Sequence, residues 1–350
     1  MDKVRLAILG AGAMGRKHAE QIRASASCEL VGFGDVDAGR RVLAEEFNAP
    51  FYQDVEALLA GERPDGAIIA TPNALHLAGT EACARHGVHV LIEKPVADTL
   101  EAARRIVQTA KESNIRVLVG HHRRHNPLIR ETRALLQAGA IGRLLAVSAM
   151  WTLYKPADYY TVSWRCVRPG GGPILINLIH EFDSLRFLCG EIRQVFAQTN
   201  SAARRLEVED SVSITLSFES GALGSILASD ATPAPWSYEA ATHENPMYFP
   251  MDENCYYFCG SQASLAFPRL ELWRYADEAQ KGWQHPMTRT RGHAEGPHPL
   301  AAQLEHFCRV IRGEEAPLVD AEDGARTLSV AMAALESAQR GQPVALAELW

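Results

Sequence analysis

An apolar run from Val4 to Leu9, broken only by Arg5, leads straight into Gly10-Ala11-Gly12-Ala13-Met14-Gly15. This junction limits what the chain can fold into more than any other stretch. Continuous apolar residues suit a strand covered on both faces of a parallel sheet. The glycines fall at the G-x-G-x-x-G positions: Gly10 for a tight turn, Gly12 for close approach to a pyrophosphate, Gly15 for close packing of the next helix on the strand. A helix starting here directs unpaired N–H groups and the positive end of its dipole at phosphates. Twenty positions after Gly15, Asp35 closes a second run, Leu30-Val31-Gly32-Phe33-Gly34, where a carboxylate accepts from ribose hydroxyls. Strand, turn, helix, strand and terminal acid in this order predict a bound dinucleotide, with the whole loop from Gly10 to Gly15, including Ala11, Ala13 and Met14, as its cradle.

The rhythm continues through the first 120 residues. Strands are expected at Val4–Leu9, Leu30–Gly34, Ala67–Ala70, Val88–Ile92 and Val117–Val119, with helices near Gly15–Ala24, Ala38–Phe47, Val55–Leu59, Ala74–His86 and Leu100–Ser113. Such alternation gives an α/β fold with a doubly wound parallel sheet. After Gly120 comes a helix near Pro127–Gln137, and then strands at Leu144–Trp151, Val195–Gln198, Val212–Ser217, Leu223–Ser229 and Tyr256–Phe258, joined by longer loops. This predicts an open, largely antiparallel sheet. Residues 231–252 and 276–300, rich in Pro, Gly and charge, read as surface loops. Helices return at Leu300–Ile311 and Glu322–Arg340, with Gly313 and Gly341 in the C-capping position. Two domains are therefore expected: a Rossmann domain over 1–122 and an α/β domain for substrate binding and oligomerisation over 123–350, whose helices in 300–340 pack back toward the first.

A chain of 350 residues is long for one core. Its net charge of −7, with interspersed signs, argues against nucleic acid as the main partner, and no basic run points to a membrane surface. No stretch reaches the roughly 18 apolar residues of a membrane helix, so a cytoplasmic protein is expected. Seven cysteines without a C-x-x-C pair suit reduced thiols. Cys255 and Cys259 fit a buried strand pair better than a metal site, and His121, His122 and His125 lack an intervening carboxylate, so no metal is expected.

Ligands of doubly wound sheets bind at the carboxyl ends of the strands. After the third expected strand come Thr71-Pro72-Asn73 and His76; Asn73 either meets a ligand or caps the helix that follows. After the fourth come Glu93-Lys94-Pro95. A lysine where a strand end faces a cleft is either solvated or put to use.

Together with the Gly10–Gly15 loop, Asp35, Gly142, Trp164-Arg165, Gly170-Gly171-Gly172 and His180, these motifs resemble the Gfo/Idh/MocA oxidoreductases over nearly the whole chain. The resemblance implies hydride transfer between a nicotinamide and a secondary alcohol or hemiacetal carbon of a sugar, cyclitol or related polyol, in a homodimer or homotetramer. It implies that Lys94 hydrogen-bonds the reacting oxygen, that Thr71, Pro72, Asn73, His76 and Glu93 belong to the cofactor site, and that Trp164 and Arg165 close over the nicotinamide end. His180 matches the acid/base histidine. A group titrating near neutrality and a nearby cation both help an alcohol lose its proton as hydride leaves. In many members an Asp stands four residues before that histidine; here the position is Ile176, and Asn177 stands three before, able to contact the ring or the substrate without acting as a carboxylate. His180 is then either a base without its usual charged orienter or a binding residue, and Asp183 is a packing carboxylate or its partner. Tyr154, Tyr159, Trp236 and Tyr238 are candidates for a substrate wall, with core or interface packing as the other reading.

Asp35 would repel a 2′-phosphate, so NAD is expected over NADP, with Arg40 and Arg41 leaving some tolerance. A cis Lys94–Pro95 bond is expected where the proline turns the lysine off the strand. Two other functions share these residues: transient oxidation by bound NAD during a hydrolysis or isomerisation, and a catalytically silent NAD-binding regulator, which Ile176 favours.

Overall fold

The computed structural model describes residues 2–349. β1 (Val4–Leu9) is buried at every residue but Arg5. It is followed by α1 (Ala13–Ala24), β2 (Cys28–Gly34), α2 (Arg41–Glu46), β3 (Phe51–Tyr52), α3 (Val55–Glu62), β4 (Gly66–Ile69), α4 (His76–Arg85), β5 (His89–Ile92), α5 (Leu100–Ser113) and β6 (Val117–Val119). The strands hydrogen-bond in the order β3-β2-β1-β4-β5-β6, every pair parallel. The order reverses between β1 and β4, the switch point at which such sheets open a crevice for ligands. Only β3 is absent from the expected strands; two residues are too short to show a pattern.

The chain continues through α6 (Pro127–Gln137), β7 (Leu144–Thr152), α7 (Ile179–Cys189), β8 (Ile192–Asn200), β9 (Ser211–Phe218), β10 (Leu223–Ser229), α8 (Tyr238–Thr242), β11 (Tyr256–Gly260), β12 (Ala263–Phe267), β13 (Glu271–Arg274), β14 (Thr288–Arg291), α9 (Pro299–Arg312), α10 (Ala321–Arg340) and β15 (Val344–Ala345). Nine of these strands form a second sheet in the order β14-β13-β12-β11-β7-β10-β9-β8-β15. All neighbours are antiparallel except β7 and β10. The loops expected at 231–252 and 276–300 contain α8 and β14. The four residues of β14, Thr-Arg-Thr-Arg, are all exposed, so this edge strand carries no apolar alternation by which to find it.

Two compact units divide the chain: residues up to His125 with His298–Leu328, and Asn126–Pro297 with the residues from Ser329 onward. The cut expected at 122/123 falls at 125/126, and the segment carrying α9 belongs with the first unit. There Leu304, Phe307 and Cys308 join Leu6, Ile8, Phe33, Ile68, Leu91 and Leu118 in one buried cluster. In the second unit, Val147, Ala149 and Trp151 of β7, Ile214 and Leu216 of β9, Ile226 of β10 and Phe258 of β11 pack with Phe182 and Leu185 of α7 and with Val330 and Ala334 of α10. Each Val, Leu, Ile or Phe among them contributes roughly 1.5–3 kcal/mol on burial. The other face of the sheet shows Leu223 and Leu227 on β10, Tyr257 on β11 and Trp273 on β13 to solvent.

Candidate active site

In the first unit the start of the expected cofactor loop is held between β2 and β4, the strands on either side of β1. Gly10 N–H donates to Gly34 O at 2.7 Å and Ala70 N–H to Leu9 O at 2.7 Å. Gly10 has φ +98°, and a Cβ there would lie 2.6 Å from Ala70 O, so no other residue fits the turn. Gly12 precedes the first turn of α1 without a side-chain cap, and a Cβ placed on it meets nothing within 4 Å. The open space lies over a helix N-terminus, as a pyrophosphate requires. Asp35 sits at the end of β2 with one carboxylate oxygen accepting from Ala11 N at 2.8 Å and the other from Asp37 N at 3.0 Å. Thr71 Oγ1, after β4, is buried without a hydrogen-bond partner. The open cradle, the acid beside it and the orphaned hydroxyl all fit a dinucleotide.

Lys94 follows β5, and its bond to Pro95 is cis. Glu93 before it is buried; its carboxylate takes His18 Nε2 of α1 at 2.7 Å and the Lys94 N–H at 3.3 Å. Burial alone would push the Glu93 carboxyl up, but the His18 hydrogen bond and the charges of His18, Lys94 and His122 overcome it and hold it at about 2. Glu93, expected to belong to the cofactor site, thus engages α1 and the lysine backbone inside the unit. His76 is likewise fully buried, with Nδ1 3.1 Å from Pro95 O and Nε2 3.0 Å from Thr71 O, so it ties the β4 loop to the proline turn. Burial draws its pKa down against these hydrogen bonds. Pro72 is exposed, while Asn73 is half-buried and opens a 3₁₀ turn leading into α4. His121, His122 and His125 stand on and beside a 3₁₀ turn, with the His125 ring 5.2 Å from that of His306. Among the described residues, no group of three His, Cys, Asp or Glu is placed to hold a metal ion.

The second unit carries His180 at the start of α7, 8 % exposed. Residues Ile174–Leu178 just before it form a π-helical turn. A π turn displaces the one-turn neighbour from the fourth residue to the fifth, so the α-helical spacing used to compare Ile176 and Asn177 with His180 does not hold. Asn177 instead accepts a hydrogen bond from Lys155 Nζ at 2.8 Å. Gly172, at φ +91°, would put a Cβ 2.5 Å from Glu209 Oε1, and the same carboxylate oxygen accepts from Ile174 N at 3.0 Å. Glu209 therefore closes the N-terminus of the His180 segment, and burial pushes its carboxyl up. Trp164 and Arg165 lie on a 3₁₀ turn bound to the triple glycine through Gly172 N–H and Arg165 O at 3.3 Å. The Arg165 guanidinium stacks 4.2 Å over the Tyr159 ring, and Trp164 is half exposed. Asp183 is buried on α7, and Glu181 accepts from the Tyr256 hydroxyl at 3.2 Å.

The aromatic candidates separate. Tyr154 and Trp236 are exposed, whereas Tyr238 is a core residue: its ring lies parallel to that of Phe267 at 5.8 Å and its hydroxyl donates to Glu244 at 2.8 Å. It opens α8, where no helix was expected, and the helix turns it inward. Lys155, Asp230, Arg204 and Glu209 were not anticipated. Lys155 shares with Lys94 the one signal that sequence offers for it, a lysine just past a strand end.

A parallel sheet with a glycine cradle at its switch point and a lysine at the end of β5, followed by an open-sheet unit bearing a buried histidine, define a two-unit dinucleotide-dependent oxidoreductase. The chain matches the oxidoreductase family with an NAD-binding Rossmann fold over residues 4–121, and that family's C-terminal α/β domain over residues 133–346; it belongs to the Gfo/Idh/MocA family. Among its relatives, 1,5-anhydro-D-fructose reductase of Ensifer adhaerens is 30% identical, covering 82% of this chain and 81% of its own. The NAD-dependent scyllo-inositol 2-dehydrogenase of Bacillus subtilis is 26% identical, covering 98% and 96%. An oxidoreductase from Agrobacterium radiobacter, solved with NAD+, L-tartaric acid and magnesium, superposes with a TM-score of 0.85 at 21% identity over all of both chains.

Proposed function

We propose that this enzyme oxidises or reduces a secondary alcohol or hemiacetal carbon of a sugar, cyclitol or related polyol with NAD in preference to NADP. The observation that carries the reading is the juncture at β5: a buried Glu93 anchored on α1 immediately precedes Lys94, in the same unit as the Gly10–Asp35 cradle. Relatives named for an anhydrosugar and an inositol support the substrate class. When bound, the nicotinamide supplies the hydride acceptor or donor. The residues then divide the rest of the work. The N–H groups around Gly12 hold the pyrophosphate, Asp35 takes the ribose hydroxyls, and Lys94 stabilises charge on the reacting oxygen while His180 exchanges its proton. We further read the enzyme as a homo-oligomer built on the open sheet face, and as cytoplasmic: all seven cysteines are free and no helix among the described residues is long and apolar enough to cross a membrane.

The test is NAD+ reduction, followed by NADH absorbance, over aldoses, inositols, sugar acids and anhydrosugars, with Lys94→Ala assayed beside the wild type. A substrate should appear, and Lys94→Ala should lose about 10²–10⁴ in kcat/KM while still binding NADH. Turnover without net change in NADH would move the reading to transient redox, and equal activity in the variant would remove Lys94 from the chemistry.

A further inference from the structure

We propose that Lys155 is a positioning residue that fixes the Asn177 carboxamide with its oxygen held and its two N–H donors offered to an acceptor oxygen of the substrate, a carbonyl or carboxylate. The inference rests on the dehydrogenase reading above and adds to it a polarity for one contact.

Lys155 follows β7, its backbone N–H donating to Asp230 O at 2.9 Å, and it is only 5 % exposed. Its ammonium lies 4.3 Å from the Tyr159 ring centre and 5.2 Å from that of Trp151, 2.8 Å from Asn177 Oδ1 and 3.4 Å from Asp230 Oδ2. A buried lysine is costly unless paired. Asp230 does not need it, however: Arg204 Nε donates to one of its oxygens at 2.9 Å and the Tyr160 hydroxyl to the other at 2.6 Å. The well-formed hydrogen bond of Lys155 is the one to Asn177.

Chemistry then sets the direction of the amide. A lysine ammonium has three donors and no acceptor, so only the amide oxygen can face it. The NH₂ group of a half-buried Asn177, three residues before His180, is left to the other side. With its oxygen held by Lys155, the Asn177 amide presents its N–H donors alone on that side. Substrate oxygens that accept are matched by that donor.

The surroundings also make the device pH-dependent. Burial pulls Lys155 down to about 8; Asp230 and the charge of Glu239 oppose this and Arg204 adds to it. Glu239 itself accepts from Trp151 Nε1, and the Tyr159 and Tyr160 hydroxyls are pushed up and stay neutral. Above pH 8 a neutral amine accepts as well as donates, so the amide loses its fixed orientation.

Asn177→Asp separates positioning from structure, because a carboxylate keeps a partner for Lys155 yet has no hydrogen to give. With saturating NAD+, the expected result is a KM for the substrate raised at least tenfold, with unchanged NADH affinity and no loss of melting temperature. Lys155→Met should raise KM similarly and lose the basic limb of kcat/KM near pH 8. An active wild type whose KM is unmoved by Asn177→Asp overturns the inference alone, even if Lys155→Met fails to fold. A wild type that turns over nothing in the panel overturns the dehydrogenase reading and the inference with it.

Discussion

Glu93 shows how a buried carboxylate can be held ionised inside its own unit. It is buried, ionised and bonded to His18, so its pKa of about 2 stands well below the 4.5 of the free carboxyl. A carboxyl depressed on folding stabilises the protein above its unfolded pKa, and the contribution drains away as pH falls from about 4.5 to about 2. The shift corresponds to roughly 3 kcal/mol at neutral pH. Urea denaturation of Glu93→Gln should therefore show a loss of that order at pH 7 that shrinks across this window, whereas a loss independent of pH would mean that packing and not charge is at stake. Such residues are hard to read in a sequence. Gly10, Asp35 and Lys94 were legible because a motif with a known mechanism fixes their spacing. His18 and Lys155 were not, since each depends on a partner 75 or 22 positions away that only the folded chain brings near.

At the scale of elements, apolar periodicity located nearly all of the parallel sheet and most of the second one. It missed the short strands β12, β13 and β15 that continue the sheet past Tyr256–Phe258 and at its far edge, fully exposed β14, short α8 with buried Tyr238, and the π turn before α7, which local sequence does not distinguish from an ordinary helix start. That turn depends on Gly172, whose positive φ and contact with Glu209 exclude a side chain. Gly172→Ala should cost about 1–3 kcal/mol in backbone strain, visible as a lower melting temperature, and should reduce kcat/KM by displacing the His180 segment. A variant as stable and active as wild type would show that the glycine is dispensable there.

At the scale of the whole molecule, the outer face of the nine-stranded sheet is one place where several apolar side chains on neighbouring strands meet solvent together. Leu223 and Leu227 on β10 are each more than half exposed, with Tyr257 and Trp273 exposed on the strands beyond β7, and an apolar strip of this kind usually marks an association surface. The double variant Leu223→Glu/Leu227→Glu should run as a monomer in light scattering while NADH binding is kept. Wild type and variant of the same mass would place any interface elsewhere.

The division of the chain also has a consequence for how it is made. The first unit draws Leu304, Phe307 and Cys308 into its core, yet α9, which carries them, is synthesised after nearly the whole second unit. The Rossmann sheet must leave the ribosome with one apolar flank uncovered and wait about ten seconds or more, at ordinary elongation rates, for the residues that seal it. For the same reason the first 125 residues expressed alone, without α9 to cover that flank, should make a poor NAD-binding fragment.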